Sequence, residues 1–370
     1  MLADILPKLA AMGAEEDRPY YPRPSLASPE GIGKDERCLV YWGLGIPKSP
    51  MPGRAILTMD DSSWHELLTA DWINKSTYKL HSGQMAVEYP TPGLVIPSFS
   101  CKACGKKIPK QEKLHGHIDG VLTDMLGVDR LWEHKAINHF TFNKYWNGEN
   151  PVDYFTQVGI YTNALTDIIP VKEALLLIKN KNTAQFIEYL IGVEKDKFIV
   201  KEITHSNGEK KEPCTELNGL IESAINKFKK VDEYIKKKTI PKRSYEVNSW
   251  QCEYCQFYEH CYKNYKEEFE ALTADAIMEG EIIDLAKYYL ETNMHIKEME
   301  KEKDSLNGKI KALLEDKGIR EGRAGDYIIK NQLIERKSVD TEKMPTEVFD
   351  RYSKKTTYTQ LRINKTKGGG

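Results

Sequence analysis

The stretch "DRLWEHKAINHF", residues 129–140, constrains this chain more than any other. Leu131, Trp132, Ala136 and Ile137 read as a short buried strand, yet Glu133 and Lys135 sit in its middle. Residues two apart on a strand share a face. A carboxylate and an ammonium therefore project side by side from an apolar element, with His134 aimed the other way. Charge is costly to bury unless it is paired or bound to something. The strand either hides an ion pair or puts two charges to use.

A chain of 370 residues with 40% hydrophobic and 29% charged residues can bury a full core, as one large domain with an accessory part or as two domains. Its net charge of −1 excludes a globally basic, histone-like protein. A local basic surface for nucleic acid stays open. There is no apolar run of the roughly 18 residues that a membrane span needs. The start, "MLADILPKLAAMGAEEDRPYYPRPS", carries Asp4, Lys8, Glu15 and Glu16 where a signal peptide would be continuously apolar. The expected location is the cytoplasm of a bacterial host cell. Seven cysteines, an odd number at uneven spacing, point to metal or cluster ligation in a reducing compartment rather than to a disulfide framework.

Residues 17–53, rich in Pro and Gly, predict irregular entry structure, and residues 1–36 form an irregular N-terminal segment. The spacing of Trp64, Leu67, Leu68 and Trp72 predicts a helix over 60–74 with these side chains as its apolar face. Residues 84–136 alternate short apolar runs with turns and predict several strands. A helix over 152–166, strands at "EALLLIKN" and "AQFIEYLIG", and a helix over 215–238 follow. Ile282, Leu285, Tyr289, Ile296, Met299, Leu306, Ile310 and Leu313 predict one long amphipathic helix, its stripe interrupted at Thr292 and Lys303. A small α+β module over 319–364 contains "YIIKNQLIERKSVD" and "YTQLRINK" as candidate strands. The domain reading is 1–36, 37–265 and 266–370.

Upstream of the charged strand, Asp119 lies in the strand-like run "LHGHIDGVL", 14 residues before Glu133. A tight hairpin through "TDMLGVD" brings the two strands together, so Asp119, Glu133 and Lys135 converge. Two carboxylates offer hard oxygen ligands to Mg²⁺ or Mn²⁺. On this pattern, an Asp followed by Glu-x-Lys on the adjacent strand, the chain resembles the PD-(D/E)XK nuclease superfamily; a surface salt bridge on an edge strand is the plain alternative. "TQVGIYTNAL" places Gln157 and Tyr161 on one helix face, 24 residues after Glu133. That matches the Gln-x-x-x-Tyr helix of the RecB-like branch, where it supports the site and the DNA. The same branch often carries a metal-binding His on an early helix. Here "SSWHELL" offers His65.

"NSWQCEYCQFYEHCYKNY" holds Cys252, Cys255 and Cys261 as a C-x₂-C-x₅-C run. Three close thiolates suit a soft metal. The run resembles that of the iron–sulfur nucleases of this branch, in which one upstream Cys completes a [4Fe–4S] cluster. The resemblance implies Cys38 as that partner, with Cys101 or Cys104 as the other candidate, and Zn²⁺ in the same four thiolates as the alternative to the cluster. "CKACGKKIP", with Cys101 and Cys104, reads either as a plain hairpin turn or, together with His115 and His117, as a zinc knuckle. Cys214 reads as a free thiol.

Residues 226–243 carry Lys227, Lys229, Lys230, Lys236, Lys237, Lys238, Lys242 and Arg243 against two acids. They form either a solvated helix face or a wall for DNA phosphates. Phe140, Tyr145 and Trp146 could stack on unpaired bases, whereas Trp132 suits the core. The tail "ERKSVDTEKMPTEVFDRYSKKTTYTQLRINK" is loosely similar to the C-terminal part of phage recombination exonucleases, which implies a phage or mobile-element context.

The RecB-like resemblance covers residues 37–265 and implies an α/β fold: a mixed central sheet with helices on both sides, its site at one sheet edge. It further implies a metal-dependent DNA exonuclease of recombination, repair or end processing. In that role Asp119, Glu133, His65 and the backbone carbonyl of His134 hold Mg²⁺ or Mn²⁺, and Lys135 positions water. Gln157 and Tyr161 brace the site. DNA, single-stranded or as duplex ends, is the expected partner, with a phage single-strand annealing protein or recombinase as a second. The alternatives are a catalytically weak DNA-end clamp and a structure-specific endonuclease.

Overall fold

The computed structural model describes residues 2–12, 19–28, 31–213, 215–247, 249–265, 268, 280–324, 327–333 and 345. Cys214, most of the tail motif and the candidate strand "YTQLRINK" lie outside the described residues. The chain divides into two compact units, Met1–Lys263 and Asn264–Gly370. The first unit thus takes in the N-terminal segment that the sequence set apart.

The first unit is α/β, built on a mixed sheet of eight strands. Its centre is β7 (Asp129–Ile137), the charged strand, which pairs parallel with β8 (Glu173–Asn180). α4 (His139–Trp146) and α5 (Val152–Thr166) make the crossover a parallel pair requires. β9 (Phe186–Glu194) and β10 (Lys197–His205) continue as an antiparallel meander. On the other side β6 (Gly120–Thr123) pairs antiparallel with β7, and β1 (Lys79–His81) with β6. The β6–β7 hairpin turns through Asp124, whose carboxylate accepts the N–H groups of Leu126 and Val128. The turn closes at Gly127, whose φ of +79° lies in the left-handed region.

α5 packs one sheet face, with Phe155, Val158, Tyr161 and Leu165 buried alongside Leu131, Leu176 and Ile178. Gly159 allows the close approach: a Cβ there would stand 2.1 Å from Phe198 of β10. α6 (Leu220–Lys237) and α2 (Glu36–Gly43) lie in the same core. α3 (Gly53–Asn74) covers the opposite face, where Ala70 and Ile73 meet Leu122, Trp132 and Leu175.

Four expectations are corrected. The N-terminal segment is not wholly irregular, for it contains α1 (Leu2–Met12) and a 3₁₀ turn, Pro24–Leu26. α3 begins seven residues earlier than 60, and its supposed inner face is its outer one: Trp64 is 71% exposed, and Leu67, Leu68 and Trp72 are exposed too. The helix docks instead through Ser62, His65, Glu66, Thr69, Ala70 and Ile73, residues of the same period but smaller or polar. The predicted helix over 215–238 opens as a strand, β12 (Thr215–Asn218), and starts only after Gly219 at φ +74°. β10, unassigned above, buries Phe198, Val200 and Ile203.

The second unit contains the long helix Glu281–Asp316, whose apolar stripe is exposed among the described residues, and a hairpin of Glu321–Ala324 with Tyr327–Lys330. No helix among the described residues is long and apolar enough to cross a membrane.

Candidate active site and two cysteine clusters

The candidate site arises where the sheet forks. β6 begins at Gly120, opposite Trp132, while the preceding strand β5 (Lys113–His117) leaves to pair with β2 (Ala86–Pro90). β7 therefore has an open edge from Glu133 onward. An unpaired backbone N–H in a buried place is costly, and Asp119, in the bend between β5 and β6, removes that cost: its Oδ2 accepts the His134 N–H at 2.9 Å. On an extended strand the N–H and C=O of one residue point to the same edge. The His134 carbonyl thus faces the Asp119 side, and its ring packs by Trp132 on the opposite face. Asp119 sits in a bend rather than in a strand as expected.

Glu133 is fully buried, and Lys135 donates a hydrogen bond to its Oε1. Its Oε2 is buried with no hydrogen-bond partner. Burial, then the Asp119 carboxylate, pushes the Glu133 carboxyl up to about 8. Burial works against the Lys135 ammonium, but Glu133 and Asp119 outweigh it and hold it charged. Tyr161 lies behind this pair, its hydroxyl raised by burial and then by Glu133, with Gln157 opposing the shift. The ring rests on Gly116, where a Cβ would stand 2.7 Å from Cε1 of Tyr161.

α3 supplies a third carboxylate that the sequence reading missed. Glu66 is pushed up to about 7 by burial and by Asp119, and its Oε1 lies 3.5 Å from Gln84 Nε2. His65, the expected ligand, has its Nε2 3.5 Å from Asp61 Oδ2, with Lys179 and Lys181 nearby. The sequence signal was present, since Glu66 is the residue beside His65. Which of two neighbours faces a site depends on how the helix docks.

Three carboxylates, Glu66, Asp119 and Glu133, thus gather around one close ammonium. An orphaned oxygen on Glu133 fits a divalent cation held by oxygen ligands. The ligand atoms of this trio are not drawn within 4.8 Å of one another, as those of a second group are.

That second group is Cys101, Cys104, His115 and His117, which could hold a metal ion. Of the two readings of "CKACGKKIP", the structure brings together the four residues of the knuckle.

Cys38, Cys252, Cys255 and Cys261 border one small pocket with Arg243 and Tyr262. α2 delivers Cys38 in its first turn, capped by Asp35, whose carboxylate accepts the N–H groups of Arg37 and Cys38. α7 (Trp250–Glu253) and α8 (Tyr258–Cys261) bring the others. The sulfurs of Cys38 and Cys255 stand 3.4 Å apart. The contact with Cys255, then burial, pushes the Cys38 thiol up. Cys101 and Cys104 lie with His115 and His117 instead, so Cys38 is the upstream member of this group.

The basic run is corrected as a uniform DNA wall. Lys227 is buried, its Nζ donating to the carbonyls of Leu26, Ser28 and Lys34. Arg243 donates to the Cys261 carbonyl through Nε and Nη2, at 3.1 and 2.7 Å. Lys230, Lys236 and Lys237 pair with Glu36, Asp232 and Glu233. Lys238 caps α6, and Lys242 is exposed. Lys229 Nζ lies near Gly93. Trp132 is in the core and Phe140 is exposed.

No protein-family model matches the chain. No curated protein matches it. A solved structure described as "Crystal structure of SSO0001" aligns with 70% of this chain and 94% of its own, at 14% identity and a TM-score of 0.33. That likeness is too weak to assign an activity.

Proposed function

We propose that the chain is a metal-dependent deoxyribonuclease that hydrolyses phosphodiester bonds at the β6–β7 fork. The observation that carries this reading is the trio Glu66, Asp119 and Glu133 facing Lys135, with one Glu133 oxygen buried and unpartnered. Glu66, Asp119, Glu133 and the His134 carbonyl would hold Mg²⁺ or Mn²⁺, which would supply Lewis acidity toward the phosphate and acidify water. Lys135, anchored on Glu133, orients the attacking water. Asp119 holds two roles at once, fixing the strand edge through the His134 N–H and offering its second oxygen to the site. Gln157 and Tyr161 brace β5 and β7 from behind. Water attacks phosphorus and the 3′-oxygen leaves, giving a 5′-phosphate and a 3′-hydroxyl.

We further propose that Cys38, Cys252, Cys255 and Cys261 hold a [4Fe–4S] cluster, with Zn²⁺ the alternative in the same thiolates. The cluster would tie α2 to the end of the unit and add folding energy. Protein purified without air should show the broad visible absorption of such a cluster, and Cys252→Ser should lose it. A colourless wild type containing zinc would favour the alternative.

The reading is tested with Mn²⁺ on two substrates, a labelled linear duplex and a covalently closed circle. Wild type should degrade the linear DNA and leave the circle intact, and Lys135→Ala should degrade neither substrate. Cutting of the circle would replace exonuclease by endonuclease. Tight DNA binding with no cleavage of either substrate would leave a DNA-end clamp.

A further inference from the structure

We propose that Cys101, Cys104, His115 and His117 bind one zinc ion, which fastens the hairpin of β3 (Phe99–Ser100) and β4 (Lys107–Ile108) to strand β5. Two thiolates and two imidazoles are the donor set of a closed, tetrahedral zinc site. It is chemically distinct from the oxygen ligands at the fork.

The local sequence builds the thiol half. In "CKACGK" the Cys101 N–H donates to the Lys106 carbonyl and the Gly105 N–H to the Cys101 carbonyl, each at 2.8 Å. Gly105 closes the turn at φ +67°, in the left-handed region where glycine is favoured. The turn gathers both sulfurs in the group. The imidazole half follows from strand periodicity, since His115 and His117 are two apart on β5 and share a face. One ligand atom from each of the four residues lies within 4.8 Å of the others, and Cys101 Sγ stands 3.9 Å from His117 Nδ1.

His115 supplies the independent sign that something is bound. It is 7% exposed, and both ring nitrogens are buried without a hydrogen bond. Glu88 Oε1 stands 3.8 Å from Nδ1, beyond hydrogen-bond reach, and Glu88 is engaged by Gln111 and Lys113. An imidazole carries one donor and one acceptor when neutral, and leaving both idle in the interior costs free energy. Ligation through one nitrogen with the other turned to Glu88 removes that cost, the arrangement that orients metal-bound histidines generally. A hairpin of two-residue strands also has little to hold it by itself. The ion would matter to the fork because β5 leads through Ile118 to Asp119, and Tyr161 rests on Gly116 between the two histidines.

The test is elemental analysis of the full chain, produced with zinc in the medium, for wild type, Cys104→Ser and Cys252→Ser. Cys104 is exposed, so its replacement leaves the core intact. Wild type and Cys252→Ser should carry about one zinc per chain at this site, and Cys104→Ser should lose it. Zinc undiminished in Cys104→Ser, or absent from wild type and Cys252→Ser alike, overturns the proposal. Should Cys104→Ser fail to fold, Co²⁺ added to metal-free Cys252→Ser decides the matter. Tetrahedral, thiolate-bearing cobalt bands support the site, and an octahedral spectrum overturns it. None of these readouts depends on nuclease activity.

Discussion

At the residue scale, two neighbours on one helix turn carry opposite fates. His65 and Glu66 both lie on the docked side of α3, yet His65 stands by Asp61 while Glu66 feels the Asp119 carboxylate. Glu133 needs Lys135 and a further partner, because one of its buried oxygens has none. Substituting Glu133→Gln or Lys135→Ala should lower the cleavage rate by roughly 10²–10⁴-fold, the usual worth of a positioned acid–base group, with the far-ultraviolet circular dichroism unchanged. Gly116 is a positional requirement of another kind. In Gly116→Ala the new Cβ would press on the Tyr161 ring, costing about 1–3 kcal/mol by overpacking. A lowered Tm accompanied by slower cleavage is the expected result; a Tm equal to wild type would show that the ring can move away freely.

At the element scale, the ends of β7, β8 and β10 are tied by Arg130, which donates to Asp124 at 2.6 Å and to Glu173 at 2.8 Å, while Lys201 donates to Glu173 at 2.7 Å. Burial alone would raise Glu173, but hydrogen bonds from Lys201 and Arg130 hold it below its ordinary 4.5; Arg130 and backbone N–H groups hold Asp124 below 3.8. Carboxyls depressed in the folded state bind fewer protons than in the unfolded chain, so stability is lost as pH falls from about 4.5 through the lowered folded values. Arg130→Met should flatten that acid limb in a series of Tm against pH. Gly159→Ala, which drives a Cβ into Phe198, should cost about 1–3 kcal/mol in denaturant unfolding. Much of this element plan was legible from period-two and period-3.6 patterns: β7, β8, β9 and α5 stand where the residues put them. α3 misled because its large apolar side chains face outward while Ser62, Thr69 and Ala70 face the sheet. Burial there is decided by docking, which periodicity alone does not encode. The strand at Thr215–Asn218 was hidden for a related reason, since it exists only by pairing with β10.

At the scale of the whole molecule, the carboxylate trio, the Cys101–His117 group and the four-cysteine pocket all belong to the unit Met1–Lys263. Residues 1–263 expressed alone should therefore fold cooperatively and keep Mn²⁺-dependent cleavage; loss of cooperative unfolding would show that the division into two units does not correspond to independent stability. The site's four members come from α3, the bend before β6, and β7, so no single segment of sequence contains it. Asp119, Glu133 and Lys135 could be read from spacing because one hairpin joins them. Glu66 could not, because only tertiary packing brings α3 to the fork. The proposed role of Glu66, rather than His65, in completing the carboxylate set is tested by the rate of Mn²⁺-dependent nucleotide release from linear DNA by wild type, Glu66→Gln and His65→Ala. The structure predicts that Glu66→Gln falls to the level of Glu133→Gln while His65→Ala retains most of its activity. Full activity in Glu66→Gln together with loss in His65→Ala would contradict it.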